Sequence, residues 1–139
     1  MRSRLRTLDP LAIAAIAFVG ANVLHTLDHF RQGVDGLSTT ILAGGTTLSI
    51  LAITVMVMAL RRHPRAPALA AVVGLSGAVG IASSHLAPHW SSLSDSYPEI
   101  GADALSWVVV LLEIGAALVL AVVALRELRR QAAAQPAHA

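Results

Sequence analysis

The chain has 139 residues, of which 55% are hydrophobic and only 13% are charged, and its formal net charge is +2. With a mean hydropathy of +0.69, so short a chain has too little polar surface to cover a water-soluble globule, which favours an integral membrane protein. The sequence has no cysteine, which excludes disulfides, thiolate metal sites and cysteine nucleophiles.

Four apolar segments are each long enough to cross a hydrocarbon core of about 30 Å, which needs about 20 helical residues. We place them at residues 11–30, 37–60, 66–87 and 104–125. The alternation of polar and apolar residues that is typical of a transmembrane barrel is not seen. The sequence predicts an all-α membrane protein with a single four-helix bundle over residues 1–130 and a flexible C-terminal tail over residues 131–139.

The arginines predict the orientation of the chain. All ten basic residues are arginines. Nine of them fall on one side of four crossings: Arg2, Arg4, Arg6, Arg61, Arg62, Arg65, Arg126, Arg129 and Arg130. The positive-inside rule makes that side cytoplasmic, which predicts a multi-pass plasma-membrane protein with both termini inside. This distribution does not indicate nucleic-acid binding. The expected surroundings are the lipid bilayer, with a homo-oligomer or a larger membrane complex as open alternatives.

The first segment has one alternative interpretation, a cleaved signal peptide that ends at Val19-Gly20-Ala21. Cleavage there would leave an odd number of crossings and would break the arginine asymmetry. We therefore predict that the first helix is retained.

The first segment ends with a cluster of polar residues. Positions three and four apart share a helix face, so His25, Asp28 and His29 project together, with Asn22 one turn deeper. Neutral imidazole and carboxylate suit Zn, Fe, Mn, Ni or Cu(II). The spacing predicts a divalent transition-metal site, with Zn or Fe preferred, near the extracytoplasmic face. Asp28 is expected to be a ligand or to orient a liganding histidine.

The third segment ends with a second pair, His85 and His89, which we add to the predicted ligands. Pro88 is expected to end this helix, because it has no N–H to donate, so His85 is the safer member of the pair. Small residues along the segment let another helix approach closely; they are Gly74, Ser76, Gly77, Gly80 and Ser84. Such packing could bring His85 to the first helix.

Glu113 is the most deeply placed charge, near the middle of the fourth segment. An unpaired carboxylate at that depth costs at least about 2.5 kcal/mol, so a proton, a histidine or a metal should compensate for it. A rise of about 1.5 Å per residue places Glu113 about 8–12 Å below His25. We therefore predict that Glu113 and Asn22 form a proton relay beneath the site or support its ligands.

The loop over residues 88–103 is expected to close the extracytoplasmic end. Trp90, Tyr97 and Trp107 suit an interfacial aromatic belt. Asp95 and Glu99 lie in the same loop, and either one, together with Asp28, could offset the two charges of a divalent ion.

Two alternative functions remain open. In the first, a b-type haem is held by His25 and His85 for electron transfer, with Arg31 pairing with a propionate. Space for the macrocycle would come from small residues, namely Gly20, Gly77 and Gly80. In the second, Glu113, Asp28 and the histidines handle protons in a transport or accessory subunit of a larger membrane complex. The sequence does not decide whether the chain is an enzyme; a catalytic metal would activate water or oxygen.

Overall fold

The computed structural model describes residues 9–134, and this part of the chain contains helices and no strand. The helices are α1 (Pro10–Gln32), α2 (Thr39–Leu60), α3 (Ala66–His85), α4 (Tyr97–Ile100) and α5 (Ala104–Ala134), with a 3-10 turn at Val34–Gly36. Four of them, α1, α2, α3 and α5, are long and apolar enough to cross a membrane. The prediction of four long apolar helices is therefore confirmed.

The ends of α3 and α5 differ from the predicted bounds. α3 ends at His85, three residues before Pro88, so the loop begins earlier than predicted. α5 continues to Ala134, because the residues after Leu125 are mostly Arg, Glu, Leu, Gln and Ala, which are good helix formers. The first four residues of the predicted tail are thus helical. The remainder, residues 135–139, lies outside the described residues, as do Arg2, Arg4 and Arg6.

Capping residues set the bounds of α1. The Asp9 side chain accepts a hydrogen bond of 2.8 Å from the Ala12 N–H, and Pro10 occupies the first turn. The helix ends at Gln32 and is capped by Gly33, whose φ of 96° is readily adopted only by glycine and whose N–H donates to the His29 carbonyl. α1 therefore continues two residues beyond its predicted end.

The four long helices form a bundle in which α1 contacts α2, α2 contacts α3, α3 contacts α5, and α5 contacts α1. α1 and α3 are thus diagonal to each other. The contact between α3 and α5 is the most extensive. It depends on Gly74, where a Cβ atom would lie 2.7 Å from the Ala117 carbonyl oxygen. Phe18, Val55 and Leu120 fill the core between the helices.

α2 is the most loosely held helix. Its buried residues are Ala52, Val55 and Ala59, all in its second half. Its first half stands beside the ends of α1 and α3. We call this end of the bundle, where α1 and α3 finish and α2 and α5 begin, the histidine end.

Candidate metal centre

Three imidazoles from the two diagonal helices meet at the histidine end. His25 and His29 lie one turn apart on α1, and His85 is the last residue of α3. Their ring centroids are 4.6, 4.8 and 5.3 Å apart. One ring nitrogen of each histidine lies within 4.8 Å of the other two, so the group could hold a metal ion. His25 and His85 are buried and His29 is half-buried.

An acidic residue lies against the Nδ1 atom of each ring. His25 Nδ1 contacts the Glu113 carboxylate directly. His85 Nδ1 lies 3.1 Å from the Asp95 backbone oxygen and 3.5 Å from its carboxylate, and His29 Nδ1 lies 3.7 Å from the same carboxylate. At His25 and His85, acceptors at Nδ1 favour the tautomer that carries its lone pair on Nε2, the atom that could bind an ion. His25 Nε2 lies 3.2 Å from the Tyr97 hydroxyl, which an ion bound to this atom would displace.

Asp95 is kept ionised by its surroundings. The hydrogen bond from His85 holds the pKa of Asp95 below its usual range, although partial burial acts in the opposite direction. A loop residue thus places a negative charge beside two of the three imidazoles. The role of Asp95 in offsetting part of the charge of an ion stays a prediction.

Glu113 lies beside the histidines, not beneath them, so the predicted separation of 8–12 Å was wrong. Its side chain is 1% exposed, and one carboxylate oxygen accepts a hydrogen bond of 2.8 Å from the Asn22 amide. Asn22 in turn accepts a hydrogen bond of 2.8 Å from the Ser49 hydroxyl of α2. The Glu113 carboxylate thus has two buried partners on α1, Asn22 and His25, and the histidine is one of the compensating groups that the sequence analysis expects.

The helix ends explain this error. α1 ends at Gln32 and α5 begins at Ala104, and the two ends are level because Arg31 donates to Asp103 at 2.8 Å. His25 is therefore 32 − 25 = 7 residues from its helix end, and Glu113 is 113 − 104 = 9 residues from its own. At about 1.5 Å per residue the difference in depth is only about 3 Å.

Asp28 lies outside the group of three histidines. One carboxylate oxygen accepts from Arg31 Nε and the other from Gln32 Nε2, both at 2.7 Å. Arg31 also binds Asp103. Asp28 is therefore engaged in a network that links the end of α1 to the beginning of α5.

His89 and Glu99 are also separate from the imidazole group. Both are exposed, and the His89 backbone N–H donates to the Glu99 carboxylate at 2.9 Å. The chain leaves the helical path after His85, so His89 does not share a helix face with it. The structure thus brings together His25, His29 and His85 from the predicted ligands.

Tyr97 is a site residue that the sequence analysis missed. It was expected at a membrane interface, yet its side chain is 0% exposed and its hydroxyl lies 3.2 Å from His25 Nε2. Its ring lies 4.7 Å from the His85 ring and 5.7 Å from the Trp107 ring. Burial raises the pKa of Tyr97 to about 12, so the phenol is neutral and can donate a hydrogen bond. A proline in the first turn of α4 signals a helix start here, but nothing in the sequence indicates that the ring points inward.

A cavity of about 440 Å³ opens beside the imidazoles, between the first half of α2 and the ends of α1 and α3. Its polar end is formed by Asn22, His25, His29, His85 and Glu113. Its walls are mainly apolar and include Phe30, Ile41, Leu42, Leu48, Leu51 and Leu93. The imidazoles can therefore be reached by a molecule that enters the cavity.

The geometry does not fit a haem held by His25 and His85. Such a haem would lie in the plane midway between the two rings. The His29 ring is 4.6 Å from one and 5.3 Å from the other, which places it close to that plane. Arg31, the expected propionate partner, is instead paired with Asp28 and Asp103.

Comparison with known proteins finds no match among protein-family models, curated proteins or solved structures.

Proposed function

We propose that this protein is a multi-pass membrane protein that binds one divalent transition-metal ion through His25, His29 and His85. The observation that carries the proposal is the arrangement of the three imidazoles, each with an acidic residue at its Nδ1 atom. Histidines that bind a metal characteristically donate their second N–H to a carboxylate or a backbone carbonyl. In our proposal, Glu113 and Asp95 supply these acceptors.

The charges support a plasma-membrane orientation with the histidine end outside. Six arginines lie at the opposite end of the described bundle, in the α2–α3 turn and along the end of α5: Arg61, Arg62, Arg65, Arg126, Arg129 and Arg130. The positive-inside rule assigns that end to the cytoplasm. Both termini would then be cytoplasmic, and the metal would lie near the extracytoplasmic face. The 31 residues of α5 span about 46 Å, which exceeds a hydrocarbon core of about 30 Å and lets its arginine-rich end reach the aqueous phase.

The ligand set suits a site with an open coordination position. Three neutral imidazoles hold Zn²⁺ in catalytic centres, where water or substrate takes the fourth position. Nitrogen ligands also suit Fe, Ni or Cu(II), and the chain offers no thiolate that would favour Cu(I). Bound at this site, a metal would polarise an oxygen atom of a ligand or activate water. The Tyr97 hydroxyl, a neutral donor next to His25, would hydrogen-bond to that oxygen.

A proton-handling subunit is the second candidate, favoured by one observation. Glu113, Asn22 and Ser49 form a continuous hydrogen-bonded path from the imidazoles to α2. Within this path, the Glu113 carboxylate and the His25 imidazole are in direct contact and can exchange a proton without any metal. The two candidate functions predict different metal contents of the purified protein and different effects of removing His29. Within the described residues, His29 makes no hydrogen bond to Glu113 or Asn22.

Elemental analysis of tag-free protein, purified in detergent, tests the proposal. We expect about one Zn, Fe, Ni, Mn or Cu atom per chain in the wild type, and a loss of that metal in His29→Ala. His63→Ala is the matched control, because His63 is an exposed histidine at the opposite end. His89→Ala should also retain the metal. A wild type that holds no metal after reconstitution, or a His29→Ala protein with full metal content, would refute the metal site and leave the proton-handling function.

A further inference from the structure

The cavity beside the imidazoles has the form of a lateral binding site. α2 is attached to the rest of the chain at both ends of the cavity: Ser38 donates to the Ser92 carbonyl at the top, and Ser49 donates to Asn22 at the floor. Between these attachments α2 buries no residue, and Leu42, which lines the cavity, is 43% exposed. The cavity is therefore open past the first half of α2, on the side that faces lipid in a membrane.

Glycines keep this cavity open. A Cβ atom at Gly45 or Gly80 would meet no atom within 4 Å, and one at Gly44 would meet only Leu93, at 3.8 Å. Deeper in the bundle the gap closes, since a Cβ at Gly77 would lie 3.3 Å from Leu48. The cavity is thus wide because these positions carry no side chain, and larger side chains can be added there without a backbone clash.

The two ends of the cavity select opposite properties in a ligand. The walls are mainly apolar, with leucine, isoleucine and phenylalanine side chains and a few serines and threonines, whereas the inner end carries three imidazoles and the Glu113 carboxylate. A volume of about 440 Å³ is within the range of about 300–1,000 Å³ that is usual for small-molecule sites. A fitting ligand therefore has an apolar body and a single polar head.

The charge balance identifies the head group. The carboxylates of Glu113 and Asp95 contact the imidazoles, and together they offset the two charges of a divalent ion. A neutral oxygen ligand then completes the coordination without leaving a net charge in a site of low dielectric, whereas a carboxylate or phosphate would add an uncompensated charge. A hydroxyl or carbonyl oxygen meets this condition, and the Tyr97 phenol can donate a hydrogen bond to it.

We propose that the cavity binds a long-chain alcohol or aldehyde, which enters from the lipid past the first half of α2 with its oxygen directed at the three histidines. The choice of the ligand's head group rests on the proposed metal site, whereas the choice of its apolar body rests on the cavity alone. It assigns the site to lipid-soluble molecules and not to water-soluble substrates.

Photolabelling tests the proposal in nanodiscs of phosphatidylcholine. The probe is a dodecanol that carries a diazirine, and labelled peptides are identified by mass spectrometry. We expect labels on peptides that line the cavity, and we expect dodecanol to displace the probe at lower concentration than dodecane or dodecanoate does. Equal displacement by dodecane and dodecanol would overturn the assignment of the head group.

Variants that narrow the cavity provide the second arm. Gly45→Leu and Gly80→Leu should each reduce labelling about tenfold or more while the metal content stays unchanged. Gly20→Leu is the matched control, because Gly20 is exposed on α1, has no atom within 4 Å of an added Cβ and lies outside the cavity. Labelling that is the same in the wild type and in both cavity variants would overturn the proposal.

Metal analysis of the same samples separates the two ideas. Bound metal without labelling of the cavity overturns the lipid proposal and leaves the metal site intact. Labelling of the cavity in protein that binds no metal refutes the metal site, and with it the assigned role of the head-group oxygen.

Discussion

The substitution Glu113→Gln tests the role assigned to the buried carboxylate. Glutamine keeps the shape of the side chain and one acceptor oxygen, but it removes the negative charge beside His25 Nδ1. Loss of a partner of this kind usually lowers metal affinity about 10- to 100-fold. That corresponds to about 1.4–2.7 kcal/mol of binding free energy. The other carboxylate oxygen binds Asn22, and an amide can retain one of these two contacts, so we expect the bundle to remain folded.

Competition with a chromophoric chelator measures this effect on purified protein in detergent. The matched control is Glu99→Gln, which makes the same chemical change at an exposed residue whose carboxylate accepts a hydrogen bond from the His89 backbone N–H. We expect wild-type affinity in the control and a dissociation constant about 10- to 100-fold larger in Glu113→Gln. Equal affinity in both variants would show that Glu113 does not support a metal ligand.

Glu113→Leu extends the test to stability. Leucine leaves both the Asn22 amide and His25 Nδ1 without their acceptor in a buried site. Each unsatisfied buried group costs about 1–3 kcal/mol, so the free energy of unfolding should fall by about 2–6 kcal/mol relative to the wild type. A Glu113→Leu protein as stable as the wild type would contradict the hydrogen-bonded network described here.

Three further predictions concern stability and use thermal unfolding in detergent. Gly74→Ala should lower the free energy of unfolding by about 1–3 kcal/mol, because the new Cβ would lie 2.7 Å from the Ala117 carbonyl oxygen. Gly115→Ala is the control and should not lower it, because an added Cβ there has no atom within 4 Å. Equal stabilities of the two variants would contradict the close packing of α3 and α5. Ser96→Ala should leave stability unchanged or raised, because the buried Ser96 hydroxyl has no hydrogen-bond partner within the described residues; a clear loss would reveal a partner. The backbone N–H of Ser106 and the Arg31 guanidinium lower the pKa of Asp103 from 3.8 to about 2. Because the pKa of Asp103 is lower in the folded than in the unfolded protein, Asp103 contributes stability above about pH 4 that is lost as the pH falls towards 2. The unfolding temperature of Asp103→Asn should therefore lie below that of the wild type at pH 6, and the difference between the two should narrow at acidic pH.

The sequence predicts the helices well because apolar length is a local property. Four runs of about 20 apolar residues give the four helices, and i, i+4 spacing places His25 and His29 on one face. That His85 lies beside them could be expected only if α3 packs closely against its neighbours. It depends on the order of helices around the bundle, which no local pattern contains.

The errors come from small differences in where elements end. Two extra residues at the end of α1 and the level start of α5 bring Glu113 to His25. The early end of α3 separates His89 from His85. Tyr97 lies inside because a four-residue helix within the loop turns back over the imidazoles. The contacts that bring Glu113 and Tyr97 to His25 join residues 88 and 72 positions apart, and no local pattern in the sequence contains them.

The candidate site draws on three of the four long helices and on the loop before α4, which couples metal binding to folding. Two ligands come from α1 and one from α3, while the supporting acids come from α5 and from the loop before α4. No single helix or hairpin holds a complete set, so the unfolded chain has no site of comparable affinity. A ligand that binds only the folded state stabilises it by about 2.7 kcal/mol at a concentration 100 times its dissociation constant. In the membrane, the ion would therefore both neutralise the buried carboxylates and hold the diagonal helices α1 and α3 together at their open end, where α2 contributes no buried residue.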